Sequence, residues 1–322
     1  MTGELGHAYV GISGWRYPPW RGVFYPKGLT QARELHFASR QVSTIEVNGS
    51  FYSLISPTSY QAWYDETPDR FIFSVKGARY ITHLKRLKDV EVALANFFAS
   101  GLLRLREKLG PILWQLPPQV VFDAERLRHF FGLLPRTTEE AAALALGHDH
   151  RLANRNETRA LCQQPIRHAL EVRHPSFAVP AFVDLLREHH IAMCVADSAG
   201  LYPCIREVTA DFVYVRLHGA TQLYASGYGP SALARWAGDI RTWLEGRTAE
   251  GRTRSARRGC DVFVYFDNDL KVRAPFDAIN LQRLLAGQVT KRLPAGLTSR
   301  APAPIVAGAS WRGVGKRRVN IE

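Results

Sequence analysis

The stretch FVYVRLH at residues 212–218 shows, in seven residues, the pattern that decides the fold. Aliphatic residues stand at positions 213, 215 and 217, and the alternate positions hold Tyr214, Arg216 and His218. Such alternation is typical of a β-strand, because successive side chains point to opposite faces. We therefore expect the aliphatic set to pack outward under helices, and Tyr214, Arg216 and His218 to point into the interior of a closed sheet.

Seven further stretches rich in β-branched or aromatic residues recur along the chain, mostly with helical stretches between them. The eight predicted strands cover residues 9–14, 44–51, 71–76, 111–116, 168–174, 191–197, 212–218 and 261–267. Eight βα units in roughly 290 residues match a (β/α)8 barrel in number and size. The sequence therefore predicts an α/β fold, a TIM barrel, in which the connection over residues 199–209 is a loop or a short turn of helix.

Three helices have recognisable start signals. Ser56 before Pro57 and Asp123 before an apolar stripe are typical N-caps, and Ser231 is predicted to open a helix that stops near Gly246.

The charge is unevenly distributed in the predicted domain plan. One barrel domain spans residues 8–288, with an insertion at 135–167 after the fourth helix, and residues 289–322 form a basic tail predicted to be disordered. The formal net charge is +13, from 42 Lys and Arg against 29 Asp and Glu. The tail carries +6 and the loop at 247–259 carries +4, so only +3 is left for the rest. The excess charge therefore favours a peripheral contact with an anionic partner, including nucleic acid, and says little about the chemistry.

The four cysteines are widely spaced and include no C-x-x-C pair, which predicts neither a zinc site nor a redox dithiol. The N-terminus does not resemble a signal peptide, and no run of about 18 apolar residues occurs. We expect a cytoplasmic protein without membrane contact.

Polar side chains are expected near the C-terminal end of the barrel interior, where barrel enzymes keep their active sites. By strand alternation they are Glu46, Asn48, Lys76, Gln115, Glu171, Arg173, Asp197, Arg216, His218 and Asp267. One interpretation is a buried ion-pair network of no function, and such networks stabilise weakly because desolvation offsets the attraction. Burying so many charges without a function would be costly, which favours an active site.

The loops after these strands add aromatic, cationic and amide side chains to the predicted substrate-binding set. They are Trp15, Tyr17, Tyr52, Arg79, His174, Tyr228 and Asn268. Aromatic rings beside cations suit a flat or ring-shaped ligand with a negative group, such as a sugar phosphate or nucleotide.

These residue types fit two kinds of chemistry, metal-assisted and metal-free. Metal ligands of suitable type are present, namely Glu46, Glu171, Asp197, His218 and Asp267. However, no H-x-H or H-x-x-E spacing occurs, and the neighbouring cations would repel a divalent ion. We therefore expect no metal and no cofactor. The predicted catalytic set is Glu46, Glu171, His218 and Asp267.

Within that set, Glu46 or Glu171 is the expected base and His218 a proton shuttle, while Arg173 and Arg216 clamp an anion.

Several motifs in one order resemble those of the YecE-like family over about residues 8–287. They are GISGW at 11–15, FYP at 24–26, EVN at 46–48, FSVK at 73–76, RYITH at 79–83, GPILWQLPP at 110–118, EVRH at 171–174, YVRLHG at 214–219 and YFDND at 265–269. The resemblance implies a TIM barrel and no settled activity.

Three functions fit the sequence. The first is an acid/base enzyme of hydrolase or lyase type, acting without a metal on a small phosphorylated or polyhydroxylated compound. The second is a nucleic-acid-binding or nuclease-like barrel in which Trp15, Tyr17, Tyr224 and Tyr228 stack on bases. The third is a ligand sensor without catalysis.

Overall fold

In the computed structural model, which describes residues 5–247 and 259–287, eight parallel strands close into a barrel in chain order. The strands are β1 Ala8–Ser13, β2 Thr44–Val47, β3 Ile72–Lys76, β4 Leu109–Gln115, β5 His168–Glu171, β6 Ala192–Asp197, β7 Phe212–Leu217 and β8 Asp261–Phe266. β8 pairs with β1 and closes the ring. The predicted TIM barrel is confirmed.

Nine α-helices lie within the described ranges. They are α1 Glu34–Ala38, α2 Gly49–Tyr52, α3 Pro57–Glu66, α4 Glu91–Ala99, α5 Ala124–Leu133, α6 Thr138–Ala145, α7 Pro180–Glu188, α8 Pro230–Leu244 and α9 Ala274–Leu285. Ser56 and Asp123 cap α3 and α5 as predicted, each accepting a hydrogen bond from a backbone N–H. The predicted start of α8 at Ser231 is wrong, because Pro230 supplies the fixed φ of the first helical position.

Two predicted strands end three or four residues earlier than expected, whereas the C-terminal ends of the other strands differ from the prediction by at most one residue. The strand predicted at 44–51 ends at Val47, and the chain turns into α2. The Ser50 hydroxyl donates to the carbonyl oxygens of Val47 and Lys76, at 2.9 and 2.7 Å, and so holds this turn against the end of β3. β5 likewise ends at Glu171, which leaves residues 172–174 in the following loop.

The connection between β6 and β7 contains no α-helix in the described chain, as predicted. The inserted residues 135–167 fold onto the barrel and contribute α6, which packs against α4. The Thr138 hydroxyl donates to the carbonyl of Cys162 at 2.7 Å and joins the two ends of the insertion.

Apolar side chains form two layers. The larger one fills the space between the strands and the helices, and the smaller one lies inside the barrel. Near the N-terminal mouth of the interior, the rings of Tyr9 and Phe263 stack at 4.8 Å. Further along the axis, Tyr214 and Tyr265 lie 5.0 Å apart, and above them begin the charged side chains. The barrel interior therefore grades from apolar to charged along its axis.

Some predictions fall on residues outside the described ranges, namely most of the basic loop at 247–259 and the tail at 289–322. None of the helices in residues 5–247 and 259–287 is long and apolar enough to cross a membrane.

Candidate functional site

A single arginine organises the C-terminal end of the barrel interior. The Arg216 side chain, only 1% exposed, donates to Glu171 at 2.7 Å, to Glu46 at 2.8 Å and to Asp267 at 2.9 Å. Burial alone would lower the pKa of this guanidinium, but the three carboxylates raise the pKa well above its ordinary value. Arg216 therefore stays charged and holds acids from β2, β5 and the end of β8 together. We call Arg216, Glu46, Glu171 and Asp267 the carboxylate ring.

Glu46 is the most fully bonded member of the ring. One of its oxygens accepts from Ser13 at 2.9 Å and from Arg216, and the other accepts from the Tyr214 hydroxyl at 2.6 Å. These three bonds occupy most of the four lone-pair sites of a carboxylate that is fully buried. Its arrangement therefore suits an anchoring role better than the predicted role of base.

Glu171 is also held on both oxygens. It accepts from Arg173 at 2.8 Å and from Arg216 at 2.7 Å. Burial alone would raise the pKa of this carboxyl, but Arg173 and Arg216 hold the pKa well below its usual range. Arg173 in turn lies over the ring of Tyr202 and within 3.5 Å of the Tyr224 hydroxyl. The expectation that Arg173 and Arg216 form a free anion clamp is therefore wrong, since both guanidinium groups already hold carboxylates.

Asp267 lies on the side of the carboxylate ring that faces the mouth, and His218 lies beside it. Asp267 keeps 15% of its side chain exposed, whereas His218 is 1% exposed. The His218 Nδ1 atom lies 3.1 Å from Asp267 and Nε2 lies 3.9 Å from Glu171, but neither ring nitrogen is aligned for a hydrogen bond in the described chain. Burial raises the pKa of Asp267, but the larger opposing effect of Arg216 and His218 leaves that pKa lowered. Asp267 is therefore ionised and partly accessible.

A second carboxylate, Asp269, lies two residues further along the chain and behaves in the opposite way. Burial, and next the negative charge of Asp267, raise its pKa to about 8. One Asp269 oxygen is buried without a hydrogen-bond partner in the described residues, and the same is true of the Asn48 side-chain oxygen. Tyr17, beside Asp269, donates its hydroxyl to the carbonyl of Ser13 at 2.6 Å. Asp269 therefore holds a proton at neutral pH.

The sequence reasoning did not select Asp269 for the site. The available signal was its position, since Tyr265, Asp267 and Asp269 continue one alternate series past the end of β8. A short turn over Asp269–Lys271 follows β8, so that Asp269 stays at the mouth of the barrel near Asp267.

Lys76 and His83 complete this end of the barrel. The Lys76 amine lies 4.4 Å from the centre of the Phe51 ring, and His83 contacts the same ring edge-on at 5.0 Å. Burial, and next the positive charge of Lys76, lower the pKa of His83 to about 4, so this imidazole is neutral. Gln115, buried at the end of β4, pairs in register with Glu171.

Several predicted binding residues lie elsewhere. Trp15 is buried against Trp63 and Phe73 in the outer layer. The prediction that Asp197 reaches the interior is wrong, because the small residues Ala192, Cys194 and Ala196 take the inward positions of β6.

Tyr228 and Asp197 instead bond to each other, with 3.1 Å between the Tyr228 hydroxyl and the carboxylate, and Tyr228 packs on Phe266. Trp15 and Tyr228 are both buried, so neither is available to stack on a base.

Two further predicted residues support loops. His174 accepts from the backbone N–H of Ser176, and Asn268 donates to the carbonyl of Ser226 and to Asp277.

A cavity of about 220 Å³ lies beside the mouth. Its walls include Phe51, Tyr52, Arg79 and Tyr80, together with Arg151 from the insertion. Tyr52 is 71% exposed, and Arg79 has no ion pair within the described chain. Phe51 therefore lines this cavity and also contacts Lys76, which is not itself part of the cavity wall.

Within residues 5–247 and 259–287, no three His, Cys, Asp or Glu side chains are grouped so that they could hold a metal ion. The acids of the carboxylate ring are bound to guanidinium groups instead.

Comparisons with curated proteins find partial matches. The UPF0759 protein YecE of Escherichia coli K12 is 27% identical over 128 residues, which are 39% of this chain and 44% of that protein. The UPF0759 protein YunF of Bacillus subtilis 168 is 27% identical over 123 residues, 37% of this chain and 42% of that protein. The matches thus span less than half the length of each relative.

Solved structures of similar fold cover more of the chain. A DUF72 family protein from Thermotoga maritima has a TM-score of 0.67 at 24% identity, covering 87% of this chain and 99% of its own. Another from Enterococcus faecalis has a TM-score of 0.62 at 15% identity, covering 87% and 95%. At these identities the likeness concerns the fold alone. The family described as "Protein of unknown function DUF72" matches residues 9–302, more than nine-tenths of the sequence, and the chain therefore belongs to the DUF72 family.

Proposed function

We propose that this protein is an enzyme that carries out acid/base chemistry on a small phosphorylated or polyhydroxylated compound at the C-terminal mouth of its barrel. The observation that carries the proposal is the pair Asp267 and Asp269. Two carboxyl groups two residues apart differ in protonation at neutral pH, because Arg216 stabilises the charge of Asp267 and burial disfavours a charge on Asp269. Environments that push two pKa values apart are how enzymes assign a base and an acid.

The roles follow from accessibility. Asp267 is the base, since it is ionised and 15% exposed, while Glu46 and Glu171 are buried with both oxygens bonded. A rotation of the His218 ring, whose Nδ1 atom lies 3.1 Å from Asp267, would align it to pass on the proton that Asp267 receives. Asp269 is the acid that donates to the leaving oxygen.

Binding of the substrate uses the polar groups of the mouth that lack partners. The buried oxygens of Asn48 and Asp269 and the ring nitrogens of His218 have unmet hydrogen-bonding capacity in the described chain. Buried polar groups are normally paired, so a hydroxyl-rich ligand bonded to them would remove an energetic cost. Arg79 is the free cation for a phosphate group.

We place this activity in the cytoplasm, because no disulfide joins the cysteines Cys162, Cys194, Cys204 and Cys260 of the described chain, as is usual in a reducing compartment.

The test is conversion of a panel of sugars, sugar phosphates and hydroxy acids, followed by NMR, with thermal unfolding measured in parallel. We expect at least one compound to be converted, and Asp267→Asn and Asp269→Asn to slow conversion about 100-fold or more, as is typical for the loss of a general base or acid. Asp89→Asn is the matched control, since Asp89 is a highly exposed carboxylate in the loop after β3. Compounds that stabilise the protein without being converted would favour a ligand sensor, and equal rates in all three variants would contradict the assigned roles.

A further inference from the structure

Of the three cations at the C-terminal end of the barrel interior, Lys76, Arg173 and Arg216, only Lys76 lacks a bonded acid in the described residues. Its side chain is buried at the end of β3, with 9% of the residue exposed. Arg173 and Arg216 hold carboxylates at 2.7 to 2.9 Å, whereas no carboxylate oxygen lies within 4.0 Å of the Lys76 amine. The amine makes no hydrogen bond within the described chain, and its recorded contact is the Phe51 ring at 4.4 Å.

This placement is costly for a lysine that only fills space. A buried ammonium is normally paired, because the loss of hydration must be offset by a carboxylate or by hydrogen bonds. An aliphatic side chain would fill the same position without that cost. A chemical role therefore accounts for the buried Lys76 amine better than a space-filling role does.

The surroundings of Lys76 favour its neutral form. Burial, and next the charge of Arg216, lower the pKa of the amine to about 8, although Glu46, Glu171 and Asp267 oppose the shift. At pH 7.5 about a quarter of the Lys76 amine is then unprotonated, against about one part in a thousand for an exposed lysine. A desolvated lysine next to another cation is a known way to activate an amine as a nucleophile.

We propose that Lys76 forms a covalent imine with the carbonyl group of an aldehyde or ketone bound at the mouth. This inference rests on the proposed function and narrows its substrate class to small carbonyl compounds, among them phosphorylated ones. Phe51, whose ring contacts the amine, also lines the cavity that holds Arg79, although Lys76 itself is not part of the cavity wall; a small movement of this ring would let the rest of such a molecule occupy the cavity.

The step balances without an oxidant or reductant. The neutral amine adds to the carbonyl carbon, the C=O π electrons move to the oxygen, and that oxygen takes up the proton that the nitrogen loses. The nitrogen lone pair then expels the hydroxyl group, which leaves as water with one proton from an acid. Asp269, protonated at neutral pH, supplies that proton. The product is a protonated imine, and its charge is stabilised by the carboxylates of the ring.

The test traps this imine. The full-length protein is incubated with glycolaldehyde phosphate, or with glycolaldehyde, at pH 7.5, and is then treated briefly with sodium borohydride, which converts an imine to a stable secondary amine. Peptide mass spectrometry measures the labelled fraction of each lysine. The internal controls are Lys85 and Lys88 in the loop after β3, because both are more exposed than Lys76. We expect Lys76 to be labelled at least about 50-fold faster than either.

The pH dependence and a variant sharpen the test. Labelling of Lys76 should rise with pH and level off above about 8, and Lys76→Arg should lose this adduct while keeping the thermal stability within a few degrees. Labelling of Lys76 no faster than that of Lys85 and Lys88 with both aldehydes would overturn the inference.

A second measurement applies even if the variant fails to fold. Reductive methylation with ¹³C-formaldehyde gives each lysine an NMR signal that can be titrated, and peptide mapping locates it. A methylated Lys76 that titrates near 8 supports the inference, and one that titrates near 10 overturns it.

The two proposals fail in different ways. If panel compounds are converted with full sensitivity to Asp267→Asn and Asp269→Asn but Lys76 forms no adduct, the imine is overturned and the acid/base function stands. If Lys76 forms the adduct and no compound is converted, the imine stands and the catalytic function falls.

Discussion

The same eight strands form both halves of the barrel interior, but the side chains that fill the two halves differ in kind. The N-terminal half contains stacked and edge-on aromatic rings, with Tyr9 and Phe212 against Phe263 at 4.8 and 5.9 Å. The C-terminal half contains the carboxylate ring, where side chains are as deeply buried but charged. Burial in the first half stabilises the fold through removal of apolar surface from water. Burial in the second half costs solvation energy, which only accurate pairing offsets.

The transition between the halves is made by hydroxyl groups. The Tyr214 hydroxyl lies 2.8 Å from Ser74 and donates to Glu46 at 2.6 Å, while the Tyr265 hydroxyl lies 2.9 Å from Thr44. Aromatic rings whose polar tips point along the axis thus join an apolar layer to a charged one. The apolar half shows that the same space can be filled at less cost, which supports the proposal that the charged half has a function.

The largest effect is expected from removing the centre of the ring. Arg216→Met leaves three buried carboxylates without their shared cation, and we expect the free energy of unfolding to fall by about 3–5 kcal/mol. Urea unfolding measures the loss. A loss below about 1 kcal/mol would show that the carboxylates do not depend on Arg216.

A comparable but slightly smaller loss is expected in the apolar half. Phe263→Ala removes a buried ring that contacts Tyr9 and Phe212, and large-to-small core changes of this kind cost about 3 kcal/mol or more. The pKa values of Lys76 and Asp269 should be the same as in the original protein, because the space left by the Phe263 ring lies at the opposite end of the barrel. A shift of those pKa values by more than about one unit would contradict the separation of the two halves.

The layer between the halves should show an intermediate effect. Tyr214→Phe keeps the ring but leaves one Glu46 oxygen without its 2.6 Å donor, which is expected to cost about 1–2 kcal/mol. Tyr60→Phe is the matched control, because the buried Tyr60 hydroxyl has no hydrogen-bond partner in the described residues. Equal losses in the two variants would show that the bond to Glu46 contributes nothing specific.

The last expected effect has the opposite sign. The folded protein holds the Asp269 proton up to about pH 8, whereas an unfolded Asp loses it near 4. Between these values the folded state binds more protons than the unfolded state, so the contribution of Asp269 to stability falls as the pH rises to about 8. A shift of about four pKa units corresponds to about 5 kcal/mol, so Asp269→Asn should be more stable by up to that amount near pH 8, with a gap that closes toward pH 4. Parallel stability curves from pH 4 to 8 would contradict the raised pKa.

Much of the charged half could be predicted from alternation along the strands. Glu46, Glu171 and Arg216 stand opposite clearly aliphatic neighbours, so their direction could be read from the sequence. β6 gave no such contrast, because both of its faces are buried and its inward residues are small. The outward side of Asp197 was therefore not predictable from the pattern.

The loops were less predictable for another reason. Trp15 and Tyr228 are folded back against the core, and no local pattern distinguishes a buried loop aromatic from one that faces a ligand. The contribution of Arg151 to the side cavity depends on where the whole insertion packs. Likewise, the protonation of Asp269 depends on burial and on its distance from Asp267, which only the fold determines.

The most direct measurement is a ¹³C NMR titration of the carboxyl carbons of Asp267 and Asp269 in aspartate-labelled protein, assigned with Asp267→Asn and Asp269→Asn. We predict that Asp269 titrates near 8, while Asp267 stays ionised down to at least pH 4. Two carboxyl groups that both titrate near 4 would contradict the assignment of an acid and a base to this end of the barrel.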